Sequence, residues 1–296
     1  MPEQQIISSL PRKRFRFDRN CLALFVFASI AGCSQIGVDP EEPAAIELSA
    51  LPFPAVVIGD SLRNGDGVAT PVQAIVRNIR GEIIDNANVT YVYAEYNRDS
   101  ALTVDPSTGF VTAVKKPEGE ARIAARIGSA LQVLRPIRVT LRPDSLDRDG
   151  EPEPVQLTTT LPDTNRASAQ SNTTQAINVD VRHISDDMTT EPVADWVVTY
   201  TLVHPANPAN DSTFSAFLVN ESGRASSIDT TSSTGVAARQ VRIRASQFPP
   251  DGNPDSIVVE ASASYRGTAL RGAPVRVVIP VLRGTPASAS ATAIRR

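Results

Sequence analysis

The feature that most limits what this chain can fold into is a two-residue alternation of apolar and polar side chains. Ile177, Val179 and Val181 alternate with Asn178, Asp180 and Arg182. Ala121, Ile123, Ala125 and Ile127 share one side of a segment whose other side carries Arg122 and Arg126. Ile257, Val259, Ala261, Ala263 and Tyr265 alternate with Val258, Glu260, Ser262 and Ser264. Side chains of an extended strand point to opposite faces in turn, so this pattern describes strands with one face packed against a second layer. Beyond residue 33 no amphipathic helical period competes with it. Prolines (23) outnumber glycines (16), and turn-forming clusters separate the short apolar runs. The expectation is an all-β chain. A hydrophobic content of 41% is enough for packed cores, and a net charge of -3 supplies no basic field for a nucleic-acid partner.

The strand segments also recur in order. Asp60-Ser61-Leu62 matches Asp144-Ser145-Leu146, Asp66-Gly67 matches Asp149-Gly150, and Pro71-Val72-Gln73 matches Pro154-Val155-Gln156. Val76-Arg77-Asn78-Ile79 then matches Val181-Arg182-His183-Ile184, and Val89-Thr90-Tyr91 matches Val198-Thr199-Tyr200. Ser107-Thr108-Gly109 matches Ser233-Thr234-Gly235, and Gly128-Ser129-Ala130-Leu131 matches Gly267-Thr268-Ala269-Leu270. A period near domain size means tandem domains rather than a solenoid. About seven short strands per copy favour two immunoglobulin-like β-sandwiches, placed at 52–142 and 143–283. The first should close on a strand near Ile137–Leu141. Tyr91, Val111 and Ile123 should lie in the first core, and Trp196, Tyr200 and Val259 in the second. Residues 33–51, acidic and proline-rich, read as a flexible tether, and 284–296 as a disordered tail.

The N-terminus follows a different logic. Arg12, Lys13, Arg14, Arg16 and Arg19 precede an apolar run, Cys21 to Ala31, whose eleven residues fall short of the roughly 17–25 a membrane-spanning helix needs. Basic then briefly apolar is the order of a secretory signal. Ile30-Ala31-Gly32-Cys33 resembles the lipobox of bacterial lipoproteins. The resemblance implies cleavage after Gly32, acylation of Cys33, and a membrane anchor through that lipid. Ser34, a residue other than Asp after the cysteine, implies outer-membrane sorting in that family. With Cys21 removed and Cys33 lipidated, the mature chain has no thiol for a disulfide or a cysteine-ligated metal.

Within the first copy, Val104-Asp105-Pro106-Ser107-Thr108-Gly109-Phe110-Val111-Thr112-Ala113-Val114, followed by Gly119-Glu120-Ala121-Arg122-Ile123, resembles the bacterial Ig-like domain of group 2. Tyr91 stands where that family has a core aromatic. The second copy is more divergent; Trp196, Tyr200 and Gly235-Val236-Ala237 resemble invasin-type Ig-like domains. The resemblance implies a cell-envelope role in adhesion, spacing or assembly, with a surface protein or a glycan as partner.

Little in the sequence speaks for catalysis. The chain has two histidines, His183 and His204, and neither a Gly-x-Ser-x-Gly elbow, an HExxH pair nor a P-loop. No catalytic residue and no cofactor are assigned, and the chain is read as a non-enzyme. The acidic residues at the domain junction are candidates for Ca²⁺: Asp144, Asp147 and Asp149 alternate along a short stretch, and hard cations take oxygen ligands from such loops. Asp251-Gly252-Asn253-Pro254-Asp255 is a second acidic turn of this kind. The plainer reading of both is a solvated polar turn. Tyr91, Tyr93 and Tyr96 form a short aromatic row that either fills a core or stacks on a sugar ring.

Overall fold

The computed structural model describes residues 39–94, 101–157, 172–248 and 256–283. Cys33, the signal segment, Tyr96, the 251–255 turn and the tail after 283 lie outside them. Every regular element among the described residues is a strand. The first sandwich contains β1 (Pro43–Leu48), β2 (Ala55–Val57), β3 (Ala74–Asn78), β4 (Thr90–Tyr93), β5 (Leu102–Val104), β6 (Val111–Ala113), β7 (Ala121–Ile127) and β8 (Leu131–Thr140). One layer is the four-stranded sheet β2-β8-β7-β4; the pairs β1-β3 and β5-β6 form the other. Leu62, Tyr91, Val111, Ile123 and Ile137 meet between the layers.

The second sandwich contains β9 (Ser145–Asp149), β10 (Val155–Leu157), β11 (Ile177–Ile184), β12 (Thr190–Pro192), β13 (Val197–His204), β14 (Ala216–Val219), β15 (Ile228–Thr230), β16 (Val236–Ile243), β17 (Ser256–Ser262), β18 (Ser264–Tyr265), β19 (Thr268–Ala269) and β20 (Val275–Arg283). Its sheets run β10-β20-β17-β13-β15 and β12-β11-β16-β14, with β9 also on β11. Trp196, Tyr200 and Val259 lie in this core, as their alternating positions require. In both copies an opening pair of strands divides between the sheets. β1 pairs antiparallel with β3 and β2 parallel with β8, while β9 pairs antiparallel with β11 and β10 parallel with β20. With the Greek-key order of the remaining strands, this is an immunoglobulin-like sandwich built twice.

Two expectations need correction. The segment 33–51 is not all tether, because Pro43–Leu48 is a strand. Ile46 and Leu48 turn inward and Glu47 outward, an alternation too brief to stand out among prolines and acids. Arg135 Nη2 donates to the Leu48 carbonyl at 2.6 Å and ties the strand down. The opening repeat matches also fail. The structural counterpart of β9 is β1, since Leu146 faces Val181 as Ile46 faces Val76. The segment containing Asp60-Ser61-Leu62 instead runs beside β6, with Ser61 bridged to Thr112. The inner matches hold: Tyr91 faces Ala125 and Tyr200 faces Ala261 in equivalent strand pairs. Gly109, at φ 77°, lies where a Cβ would come within 2.6 Å of the Val72 carbonyl, so this turn excludes other residues on both counts.

Candidate functional site at the domain junction

Four residues, Leu141 to Asp144, separate β8 from β9. They are bonded to the second sandwich. Thr140 Oγ1 donates to the Ala194 carbonyl at 2.8 Å, and Asp144 N donates to the Arg182 carbonyl at 2.9 Å. The Asp144 carboxylate accepts from Ile184 N at 2.9 Å and Arg142 Nε at 2.7 Å, and lies 2.7 Å from His183 Nδ1. Burial alone would raise its carboxyl; the Ile184 N–H, Arg142 and His183 outweigh that and hold it below its ordinary value.

An aromatic layer lies beside this connection. Phe53 of the first sandwich and Trp196 of the second have ring centroids 4.7 Å apart, and Tyr265 packs edge-on to Trp196 at 6.0 Å. Val57, Phe53 and Leu141 from the first half join the core of the second. Trp196 is only 5% exposed.

A polar layer completes the junction. The segment between β2 and β3 carries Asp60, Arg63 and Gly67 against the hairpin formed by β18 and β19. Asp60, 6% exposed, accepts from Ser61 N at 2.8 Å, Arg63 Nε at 2.8 Å, Tyr265 Oη at 2.7 Å and Arg266 Nε at 3.0 Å. Burial would push this carboxyl up, yet the hydrogen bonds from Arg63, Arg266, Tyr265 and Ser61 prevail and hold it far below the usual carboxylate range. The Tyr265 phenol moves the other way, to about 12, through burial and its bond to Asp60. Gly67, at φ 81°, presses on the hairpin so closely that a Cβ there would fall 2.2 Å from Gly267 N.

The calcium candidates are not gathered into one ligand set. Asp144 is committed to Arg142, His183 and Ile184. Asp147 and Asp149 belong to an extended strand, opposite Asp180 and Asn178. Arg148, between them in the strand, pairs with Glu151. Among the described residues no group of three or more His, Cys, Asp or Glu is placed to hold a metal ion.

His183 does acquire an aspartate partner, an arrangement that would also suit a catalytic dyad. The remaining partners of the pair are the Arg142 carbonyl, 2.9 Å from His183 Nδ1, and the Ile184 amide on Asp144. These bonds tie the linker backbone to β11. His204 ends β13.

Sequence reasoning missed two residues. Asp60 sits in Gly59-Asp60-Ser61, which looks like an ordinary polar turn, and nothing local announces its partners. Arg239 was visible in principle: it is in step with Ala237, Val241 and Ile243 and therefore faces inward. It is 7% exposed, pairs with Asp229 at 3.0 Å, and donates to the Ala238 and Ile228 carbonyls.

No protein-family model matches the chain, and comparison with curated proteins finds no match. Among solved structures, the S-layer protein SbsC is similar at 14% identity and a TM-score of 0.28, over 83% of this chain and 29% of that one. The adhesin InvE of Yersinia pseudotuberculosis is similar at 11% identity and a TM-score of 0.30, over 83% of this chain and 61% of that one. Human protocadherin-24 is similar at 15% identity and a TM-score of 0.25, over 81% of this chain and all of that fragment. The chain thus spans less than two thirds of the S-layer protein and of the adhesin. At such scores the fold assignment rests on the strand pairings themselves.

Proposed function

We propose that this chain is a non-enzymatic lipoprotein of the bacterial cell envelope, anchored in the outer membrane through Cys33, whose paired Ig-like sandwiches act as a stiff structural or adhesive module. The observation that carries this reading is the junction. Two sandwiches joined by four residues share an aromatic layer and a buried polar layer, so the connection resists bending. A stiff pair suits a part that holds something at a set distance from a surface. The polar side chains with perturbed titration lie in turns, in this junction and, for Tyr200, in the second core, where they serve structure. Of the row Tyr91, Tyr93 and Tyr96, Tyr91 is buried in the first core and Tyr93 packs half-buried against it, while Tyr96 lies outside the described residues.

Stable anchoring takes more than one acyl chain, and an N-acylated, diacylglyceryl-modified cysteine provides it. Replacing Cys33 by Ala should abolish palmitate incorporation and move the protein from the membrane fraction to the soluble one. Labelling and fractionation that match the parent chain would exclude the anchor.

A further inference from the structure

The buried carboxylate at the junction faces two cations that belong to different domains. Arg63 reaches Asp60 from the same loop, with Nε and Nη2 both at 2.8 Å. Arg266 reaches it from the second sandwich, with Nε at 3.0 Å and Nη2 at 2.9 Å, while its guanidinium also lies 5.3 Å from the centre of the Tyr265 ring. A carboxylate offers about four lone-pair directions, so these donors, the Tyr265 hydroxyl and the Ser61 amide saturate it. Remove the negative charge and the same geometry brings two guanidinium groups together across the domain boundary. The interaction would then change sign as well as weaken. No slack absorbs that change, because Gly67 already touches the backbone of Arg266 and Gly267.

We propose that Asp60 is an interdomain latch: its charge locks the two sandwiches at one angle, and its neutralisation drives them apart while each stays folded. The inference deepens the spacer reading, and it concerns a contact that exists whether or not Cys33 is acylated. The chain's one tryptophan reports the latch directly, since Trp196 is wedged between Phe53 and Tyr265.

The test uses the intact purified protein and Asp60→Asn, an isosteric change that removes the charge. Far-UV circular dichroism should be unchanged. Trp196 emission should move to longer wavelength, its acrylamide quenching should rise severalfold, and small-angle scattering should show a broadened range of shapes. Adding Arg266→Gln to Asp60→Asn should recover part of the quenching protection, because one of the two opposed charges is then gone. A merely additive hydrogen-bond contribution would make the double variant worse than Asp60→Asn alone, and that result would overturn the latch. So would Asp60→Asn with native emission and quenching. If Asp60→Asn loses its strand signal, Arg266→Gln alone decides: its side chain is half-exposed on a hairpin, and parental quenching there would reject the proposal. Because the readout is the fluorescence of purified protein, it is independent of the outcome of the Cys33 experiment.

Discussion

Phe53 lies 143 positions before Trp196 in the chain, yet their rings pack at 4.7 Å with planes tilted by 52°, one from each sandwich. The contact makes the first domain part of the second domain's core. Phe53→Ala should therefore weaken the second sandwich as well as the junction. Truncating a buried Phe costs roughly 3–5 kcal/mol, and Phe53 is half-buried, so a loss of about 2 kcal/mol is expected. Chemical denaturation followed by Trp196 emission would measure it. A midpoint equal to the parent's would show that the ring contact contributes nothing.

The pair of buried Arg239 and half-buried Asp229 makes a second, asymmetric prediction. Breaking a fully buried pair from one side leaves an uncompensated charge and costs roughly 3–5 kcal/mol, so a smaller cost is expected here, whereas replacing both members with apolar residues is often neutral. Asp229→Ala should be destabilising because it strands the buried Arg239, and Asp229→Leu combined with Arg239→Met much less so. Asp229 Oδ2 also accepts from Ala238 N at 2.7 Å, so the double variant should retain a small deficit. Equal melting temperatures for the single and double variants would contradict the argument.

These positions also show what the sequence could and could not convey. Two-residue alternation found β7 and β11 because those strands are long and half-buried, whereas Tyr91, Trp196 and Tyr200 were placed in the cores through the resemblance to Ig-like domains. It passed over β1, where three informative residues sit among acids and prolines. The ordered repeat identified inner strands that share a partner strand, but it misassigned the openings, where short polar triplets match by chance. Asp60 was beyond reach for a different reason. Its partners Tyr265 and Arg266 lie 205 and 206 positions away, and no local period encodes which loop meets which hairpin. The acidic stretch after β8 looked like a ligand set only because its residues were close in sequence. In the fold Asp144 turns to the linker, and the strand carries Asp147 and Asp149 onward.

The turn carboxylates set the response to acid. Asp105 is held at about 2 by the Thr108 amide and by the hydroxyl and amide of Ser107. Asp187 is held at about 2 by the hydroxyls of Ser185 and Thr189 and by the Thr189 amide. Asp60, Asp144 and Asp211 are shifted in the same direction. In the unfolded chain such groups titrate near 3.9, so between about pH 4 and pH 2 the unfolded state binds more protons than the native state. Stability from these groups is thus complete above about pH 4 and declines as pH falls towards 2. The urea midpoint should be level from pH 7 to 5 and drop steeply below 4, with a shallower drop in Asp105→Ala/Asp187→Ala. A midpoint constant down to pH 2 would refute this.

At alkaline pH the sign reverses. Tyr265 keeps its proton in the fold to about 12, while the unfolded phenol loses it near 10. Burial and the bond to Asp60 both favour the neutral form, and Tyr200 is shifted upward as well, first by burial and then by the charge of Asp229. Stability should fall as pH rises from about 10 to 12, and Tyr265→Phe should make that fall shallower. An identical alkaline profile for the variant would mean that the Tyr265 hydroxyl is not held by the junction.

The last prediction concerns an exposed edge. β14 ends its sheet; beyond it lies an isolated bridge from Val219 to Ala225, with Ser226 N donating to the Leu218 carbonyl at 3.1 Å, and no full strand. Asn210 supplies the missing partner with its side-chain amide. Its Oδ1 accepts from Leu218 N at 2.6 Å and its Nδ2 donates to the Leu218 carbonyl at 3.0 Å, the two bonds a paired strand would make. Asn207 Nδ2 adds a bond to the Ala216 carbonyl at 2.9 Å. Unpaired edges invite pairing with other chains, and this amide closes one. Asn210 has φ 50°, a conformation glycine adopts freely, so Asn210→Gly removes the bonds without straining the backbone. The Leu218 carbonyl also accepts from Ser226 N, so the variant leaves the buried Leu218 N unsatisfied, at a cost of about 1–3 kcal/mol. The variant should also aggregate faster on warming, by light scattering at equal distance below its own melting temperature. Parental stability together with parental aggregation would show that solvent satisfies this edge equally well and that the amide has no protective part.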